Sequence, residues 1–203
     1  MFVKICGLFT DEHVKTAVEA GADAVGFVFA ESVRRIDPAH AARISSDVPS
    51  NVRRIAVMLH PSNDEWQAVL RGFAPDILQT DAEDLAILDV PDNIECWPVY
   101  RERNRVTDTP GPSLRVSVTP FLYEGAKSGQ GETVDWSRAA ELAKYGQMIL
   151  AGGLSVENVA EAIAKVRPYG VDVSSGVESA PGKKDSQKIR EFICAAKAAG
   201  NNL

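Results

Sequence analysis

One pattern constrains this chain more than any other: short apolar, β-rich runs alternate with helical stretches from one end to the other, and no low-complexity linker interrupts them. Eight runs read as strands: Val3–Cys6, Ala24–Phe29, Arg54–Leu59, Ile77–Gln79, Ile94–Val99, one between about Leu114 and Glu124, Met148–Ala151 and Val171–Ser174. Between them, Asp11–Ala20 carries Val14, Ala17 and Val18 at helical spacing. Pro38–Ser46 opens on a proline, which suits a first helical turn because its missing N–H has no partner there anyway. Ser62 and Glu65 fit a capping box ahead of Trp66, Val69 and Leu70, and Ser155 stands where a cap is needed for Val156–Val166. Asp185–Ala199 places Ile189, Phe192, Ile193 and Ala196 on one face. Helices are therefore expected after strands one, two, three, seven and eight, and on a weaker pattern after four and six. Arg101–Pro112, polar and broken by two prolines and a glycine, reads as a loop in place of the fifth helix.

Strands alternating with helices connect by right-handed crossovers into a parallel sheet. Eight such units in 203 residues, without a long insertion, fit one α/β domain spanning residues 1–203, a (β/α)8 TIM barrel with its fifth helix replaced by a loop. An open doubly wound sheet is the competing arrangement. Charge narrows the partners: 22 Lys plus Arg stand against 28 Asp plus Glu, a net charge of −6, which leaves no basic field for a nucleic acid backbone. No stretch approaches the roughly 18 apolar residues of a membrane span, and the opening run carries Lys4, so the expectation is a cytoplasmic chain without a membrane partner. Cys6, Cys96 and Cys194 are odd in number and far apart, which indicates neither a disulfide framework nor a metal site.

A barrel concentrates reactive groups at the C-terminal ends of its strands and phosphate after strands seven and eight. Strand seven runs into Ala151-Gly152-Gly153-Leu154, and strand eight into Ser174-Ser175-Gly176. Glycines there let backbone N–H groups approach an anion, although glycines also serve tight turns for purely geometric reasons. Ser128-Gly129-Gln130-Gly131 is a third glycine loop able to cover the same mouth. Cys6 closes strand one, with Lys4 two residues back on the same face, so the thiol is either a small buried hydrophobe or a group tuned by a cation. Cys96 and Cys194 read as packing residues. Glu124 ends strand six, and Asp172 interrupts an apolar strand, where a carboxylate requires a partner. Arg34 follows strand two as either a surface charge or a guanidinium clamp for a carboxylate. Of His13, His40 and His60, only His60 stands near a strand end, which does not favour histidine-based catalysis.

These residues resemble the phosphoribosylanthranilate isomerase family along the whole chain. The likeness is carried by Lys4-Ile5-Cys6-Gly7, Gly21 to Phe29, Ser32 to Pro38, Val134-Asp135-Trp136, Leu150 to Leu154, and Val171 to Glu178 followed by Pro181-Gly182-Lys183-Lys184-Asp185. The resemblance implies a (β/α)8 barrel and an Amadori rearrangement of N-(5-phosphoribosyl)anthranilate in tryptophan biosynthesis. An acid protonates the ring oxygen and a base removes the C2′ proton. It further implies Cys6 as base, Arg34 on the anthranilate carboxylate, Lys4 and Asp172 as substrate-binding groups, and Gly152, Gly153, Ser175 and Gly176 around the phosphate. That chemistry calls for no metal or organic cofactor, and its partner is a small phosphorylated molecule.

The sequence departs from the family pattern twice. The family acid is an aspartate at the end of strand six; counting back from Asp135-Trp136 through a short loop puts Glu124 there, and through a longer loop Phe121. Strand four reads Leu78-Gln79-Thr80-Asp81, where the family commonly has a leucine-histidine-glycine run. Two other readings stay open at this level: a related sugar-phosphate isomerase or epimerase of broader range, and a non-catalytic barrel that kept only phosphate binding. Both a monomer and a homodimer fit the sequence.

Overall fold

A computed structural model describes residues 1–102, 117–125 and 133–202 of the chain. Eight parallel strands close on themselves: β1 (Phe2–Cys6), β2 (Ala24–Val28), β3 (Arg53–Val57), β4 (Ile77–Asp81), β5 (Glu95–Arg101), β6 (Ser117–Glu124), β7 (Gly146–Leu150) and β8 (Gly170–Val173). Closure is made by β8 pairing with β1, where Lys4 faces Asp172 across the seam. The doubly wound alternative is thereby excluded, since an open sheet would leave β1 and β8 as unpaired edges.

Among the described residues six α-helices surround the barrel: α1 (Asp11–Glu19), α2 (Pro38–Ile44), α3 (Asn63–Phe73), α4 (Trp136–Ala143), α5 (Val159–Val166) and α6 (Ser186–Gly200). The local signals behave as expected. Ser62 accepts from the Glu65 N–H while Glu65 reaches back to the Ser62 backbone, a complete capping box, and Pro38 occupies the first turn of α2 behind the Asp37 cap. Two expectations need correction. The region after β4 forms only a single 3₁₀ turn, Asp84–Ala86, rather than a full helix. Ser155 does not cap a helix from 156; its N–H donates to Asn158 Oδ1, so residues 155–158 form a turn and α5 starts at Val159. Of the loop expected at Arg101–Pro112 in place of a fifth helix, Arg101 instead ends β5, and residues 103–112 lie outside the described residues.

The period-two geometry of strands sorts side chains onto two faces. Val3, Ile5, Val25, Phe27, Ala56, Leu78, Phe121, Tyr123, Met148, Leu150, Val171 and Val173 belong to the large core shared with the helices. Ala24, Ile55, Ile77, Trp97, Val99, Leu122, Ile149 and Ala151 form a separate cluster that fills the barrel itself. Polar residues in phase with that second set are committed to the interior: Lys4 and Cys6, Gln79 and Asp81, Arg101, Glu124, and Asp172. This phase relation, one residue in two, gathers the ionisable groups at the C-terminal mouth.

Candidate active site

The C-terminal mouth holds an open cavity of about 180 Å³ lined by Cys6, Arg34, Gln79, Arg101, Glu124, Gly152, Gly153, Asp172, Ser174 and Ser175 among others. With Val28 and Val57 also in the lining, residues from all eight strands or the loops after them meet in one space.

Cys6 ends β1 and is buried. Across from it, Gly26 of β2 leaves room; a Cβ there would lie 3.1 Å from Lys4 Cε and 3.3 Å from the Cys6 sulfur. Burial pushes the Cys6 thiol above its ordinary value, while Lys4 and Lys184 pull in the opposite direction without overcoming it. The cation expected from the sequence is thus present, yet the resting thiol stays protonated at neutral pH. Lys4 is fully buried, and its Nζ donates to Asp172 Oδ1 at 2.9 Å. Lys4 lies beneath the cavity wall, held by Asp172, and Asp172 is the member of the pair that lines the cavity. Although burial disfavours its charge, the charge of Asp172 and its hydrogen bond keep the Lys4 ammonium above its ordinary pKa.

Glu124 ends β6 and meets the Arg101 guanidinium from β5. Arg101 is also held by Asp81 of β4, with Nη2 2.7 Å from Oδ1 and Nε 3.0 Å from both carboxylate oxygens. Burial raises the pKa of the Glu124 carboxyl; Arg101 opposes that rise, and Asp172 and Asp81 add to it. The net displacement is upward, toward the protonated form that an acid needs. Phe121, the longer-loop alternative, is fully buried in the outer core and does not line the cavity.

Arg34 lines the cavity, but its fork is already engaged: Nε and Nη2 donate to the two oxygens of Glu178 at 2.6 and 2.9 Å. Glu178 also accepts from Lys184 Nζ at 2.9 Å and from the Gly182 N–H at 3.0 Å. Burial pushes the Glu178 carboxyl up, yet the hydrogen bonds from Arg34 and Lys184 and the Lys184 charge outweigh it, holding its pKa at about 2. Lys184 further donates to the Ser174 carbonyl at 2.8 Å, so one buried cluster fixes both Arg34 and the turn after β8. Neither Glu178 nor Lys184 was singled out for a site role from sequence. The signal available was a run of charged residues close after the last strand, which by itself reads as a solvated surface.

The two glycine turns lie at the C-terminal mouth, after β7 and β8. Gly152 and Gly153 have φ of 88° and 61° and line the cavity. Gly176 lies behind them: a Cβ there would come within 1.9 Å of the Leu154 carbonyl oxygen, so only glycine lets the turn after β8 press against the turn after β7. The third glycine loop, Ser128 to Gly131, lies outside the described residues. Of the remaining cysteines, Cys96 is half-buried, and Cys194 is exposed on α6 rather than packed as expected. His60, after β3, is engaged with Asp84 through Nδ1 at 2.9 Å. Ligand atoms of His60, Asp81 and Glu83 lie within 4.8 Å of one another, but Asp81 is committed to Arg101, which suits an ion-pair network better than a cation site.

A closed parallel barrel with an ionisable cluster at its C-terminal mouth and glycine turns after its last two strands defines a (β/α)8-barrel enzyme with the layout of a phosphate-ester site. Residues 3–195 match the family model described as N-(5'phosphoribosyl)anthranilate (PRA) isomerase, and the chain belongs to that family. A relative named N-(5'-phosphoribosyl)anthranilate isomerase from Listeria innocua is 39% identical over 98% of this chain and 100% of its own length. Another of that name, from Pelobacter propionicus, is 42% identical over 96% of this chain and 95% of its own. Among solved structures, phosphoribosyl anthranilate isomerase from Thermotoga maritima superposes with a TM-score of 0.85 at 34% identity, covering 98% of this chain and 99% of that one. A phosphoribosyl anthranilate isomerase in complex with reduced 1-(o-carboxyphenylamino)-1-deoxyribulose 5-phosphate gives a TM-score of 0.80, also at 34% identity and with the same coverage.

Proposed function

We propose that one domain spanning residues 1–203 converts N-(5-phosphoribosyl)anthranilate to 1-(2-carboxyphenylamino)-1-deoxyribulose 5-phosphate in tryptophan biosynthesis, with Glu124 as general acid and Cys6 as general base. The observation that carries the assignment of roles is that both groups line one cavity whose rim includes the Gly152-Gly153 turn. The Glu124 carboxyl delivers a proton to the furanose ring oxygen as the C1′–O bond breaks, and the anthranilate nitrogen lone pair forms the iminium. The Cys6 thiolate then takes the C2′ proton, the electron pair neutralises the iminium, and the resulting enol tautomerises to the ketone. No redox step or added cofactor enters this balance.

The surrounding groups have distinct duties in this reading. Asp172, anchored by Lys4, presents a carboxylate to the sugar hydroxyls, while Lys4 acts from beneath as a buried cation beside the Cys6 sulfur. Arg34, oriented by Glu178, offers its remaining donors to the anthranilate carboxylate. Gly152, Gly153, Ser175 and Gly176 shape the phosphate end, where local backbone groups must attract a dianion to a chain of net negative charge. Among the described residues no helix is long and apolar enough to cross a membrane; we place the enzyme in the cytoplasm as a monomer or homodimer.

Removing either proton carrier tests the assignment. Cys6→Ala and Glu124→Ala should each lower kcat by about 10²-fold or more with KM changing far less, as expected for groups that act mainly in proton transfer. Retained turnover in Cys6→Ala would refute the base, and retained turnover in Glu124→Ala would refute the acid.

A further inference from the structure

Two places where the sequence departs from its family pattern, the glutamate ending β6 and the Thr80-Asp81 pair ending β4, are joined in the folded chain by one side chain. Arg101 of β5 stands between them and bonds to both carboxylates. Its register explains why: Asp81 pairs laterally with Val99 and Arg101 with Glu124, so the three side chains share the interior face of adjacent strands at the cavity. Asp81 engages Arg101 through both Nε and Nη2, whereas Glu124 takes only Nη1. The guanidinium is therefore seated on Asp81, and Glu124 rests on its free end. Asp81 is only 8% exposed, which strengthens its hold on a planar fork that a flexible side chain would otherwise lose to water.

We infer that Asp81 is a positioning residue for the Glu124 acid, acting through Arg101 to place the longer glutamate side chain and to limit how strongly Arg101 stabilises its ionised form. The inference rests on the reading of Glu124 as acid. Asp81 shares the positive charge of Arg101 and adds a negative charge of its own, and both effects favour the protonated form of Glu124. The charged groups that act on Glu124 are Asp81 from β4, Arg101 from β5, Asp172 from β8 and Lys4 from β1. His60 supports the far side, with Nε2 3.6 Å from Asp81 Oδ2.

The sign of the effect follows from the protonation states. The active form carries protonated Glu124 and ionised Cys6, the reverse of the resting pair. Between the two pKa values its fraction is constant and set by their separation, so lowering the Glu124 pKa both reduces the plateau of kcat/KM and moves the acid limb to lower pH by a matching amount. In Asp81→Asn, which keeps the side-chain shape, Arg101 turns its full charge on Glu124. An opposite charge at contact distance displaces a carboxyl by about one pH unit or more, so the plateau should fall about tenfold and the acid limb should move down by about one unit.

The experiment is the pH profile of kcat/KM for the full chain and for Asp81→Asn, Arg101→Met and Glu124→Gln, each confirmed as folded by its thermal transition. Arg101→Met should move the acid limb upward, because the cation that favours ionised Glu124 is gone, while kcat falls through lost placement. A plateau loss in Asp81→Asn with an unmoved acid limb would reduce Asp81 to a structural role and overturn the inference, as would an unchanged profile. Glu124→Gln separates the two levels: if it keeps full turnover the acid assignment fails, whereas an inactive Glu124→Gln beside an unmoved limb in Asp81→Asn defeats only the positioning role.

Discussion

Glu178→Gln perturbs the buried cluster of Arg34, Glu178 and Lys184, and its cost can be worked from the structure. The carboxylate accepts from Arg34 twice, from Lys184 and from the Gly182 N–H, with only 4% of its side chain exposed. A carboxyl held at about 2 instead of the ordinary 4.5 corresponds to about 3 kcal/mol of folding free energy at neutral pH. Glutamine keeps the shape but removes the charge, leaving Arg34 and Lys184 as two buried cations without their anion; breaking a buried pair in this way costs about 3–5 kcal/mol in other proteins, in line with the figure from linkage. The midpoint temperature should drop by about 6–12 °C at neutral pH for a chain of this length.

The sign with pH is fixed as well. The pKa of Glu178 is lower in the folded than in the unfolded chain, so its contribution is complete above about pH 4.5 and is lost as pH falls through about 2. Urea midpoints measured for both proteins from neutral pH down to about pH 3 should therefore show a gap that is widest at neutral pH and narrows on the acid side. Parallel curves, or equal midpoints at neutral pH, would refute the reasoning. KM should also rise, because Arg34 loses the partner that orients its guanidinium and Lys184 its hold on the turn after β8; an unchanged KM would separate the stability role from the binding one.

Other outcomes follow from the same geometry. Lys4→Met strands Asp172 at the barrel seam and should cost about 3–5 kcal/mol in denaturant titration, whereas a midpoint within experimental error of the native chain would mean the pair contributes nothing. Gly176→Ala forces a Cβ into the Leu154 carbonyl; it should destabilise by about 1–3 kcal/mol and weaken affinity for a reduced product analogue in calorimetry, and native-like binding would show that the two turns are independent. Because burial raises both Cys6 and Glu124, the acid limb of the native kcat/KM profile should lie above the ordinary carboxylate range and the alkaline limb above the ordinary thiol range. Limbs at the ordinary values would contradict the burial argument.

The sequence by itself determined a parallel sheet covered by helices, and the pairing of β8 with β1 decided for the closed barrel over an open doubly wound sheet. Eight apolar runs with helices between them leave few ways to cover a parallel sheet, and the capping box at Ser62 and the proline at 38 fixed helix starts without tertiary help. Strand ends and glycine-rich turns are local features, so Cys6 and the two glycine turns were legible, while Glu124 shared its place with Phe121 until the fold put Phe121 in the outer core. Only the tertiary structure decided the partnerships. Lys4 and Asp172 stand 168 positions apart and meet because β8 closes onto β1. Arg34 reads as an available clamp until Glu178, 144 positions away, is seen to occupy its fork. Arg101 belonged, in sequence, to a polar loop; the register of β5 between β4 and β6 brings it into the barrel mouth. The physical reason is common to all three. Apolar periodicity records only that a residue faces a core, whereas the pairing of a buried charge depends on which distant charge the closed sheet places within about 3 Å of it, where burial makes that pairing obligatory.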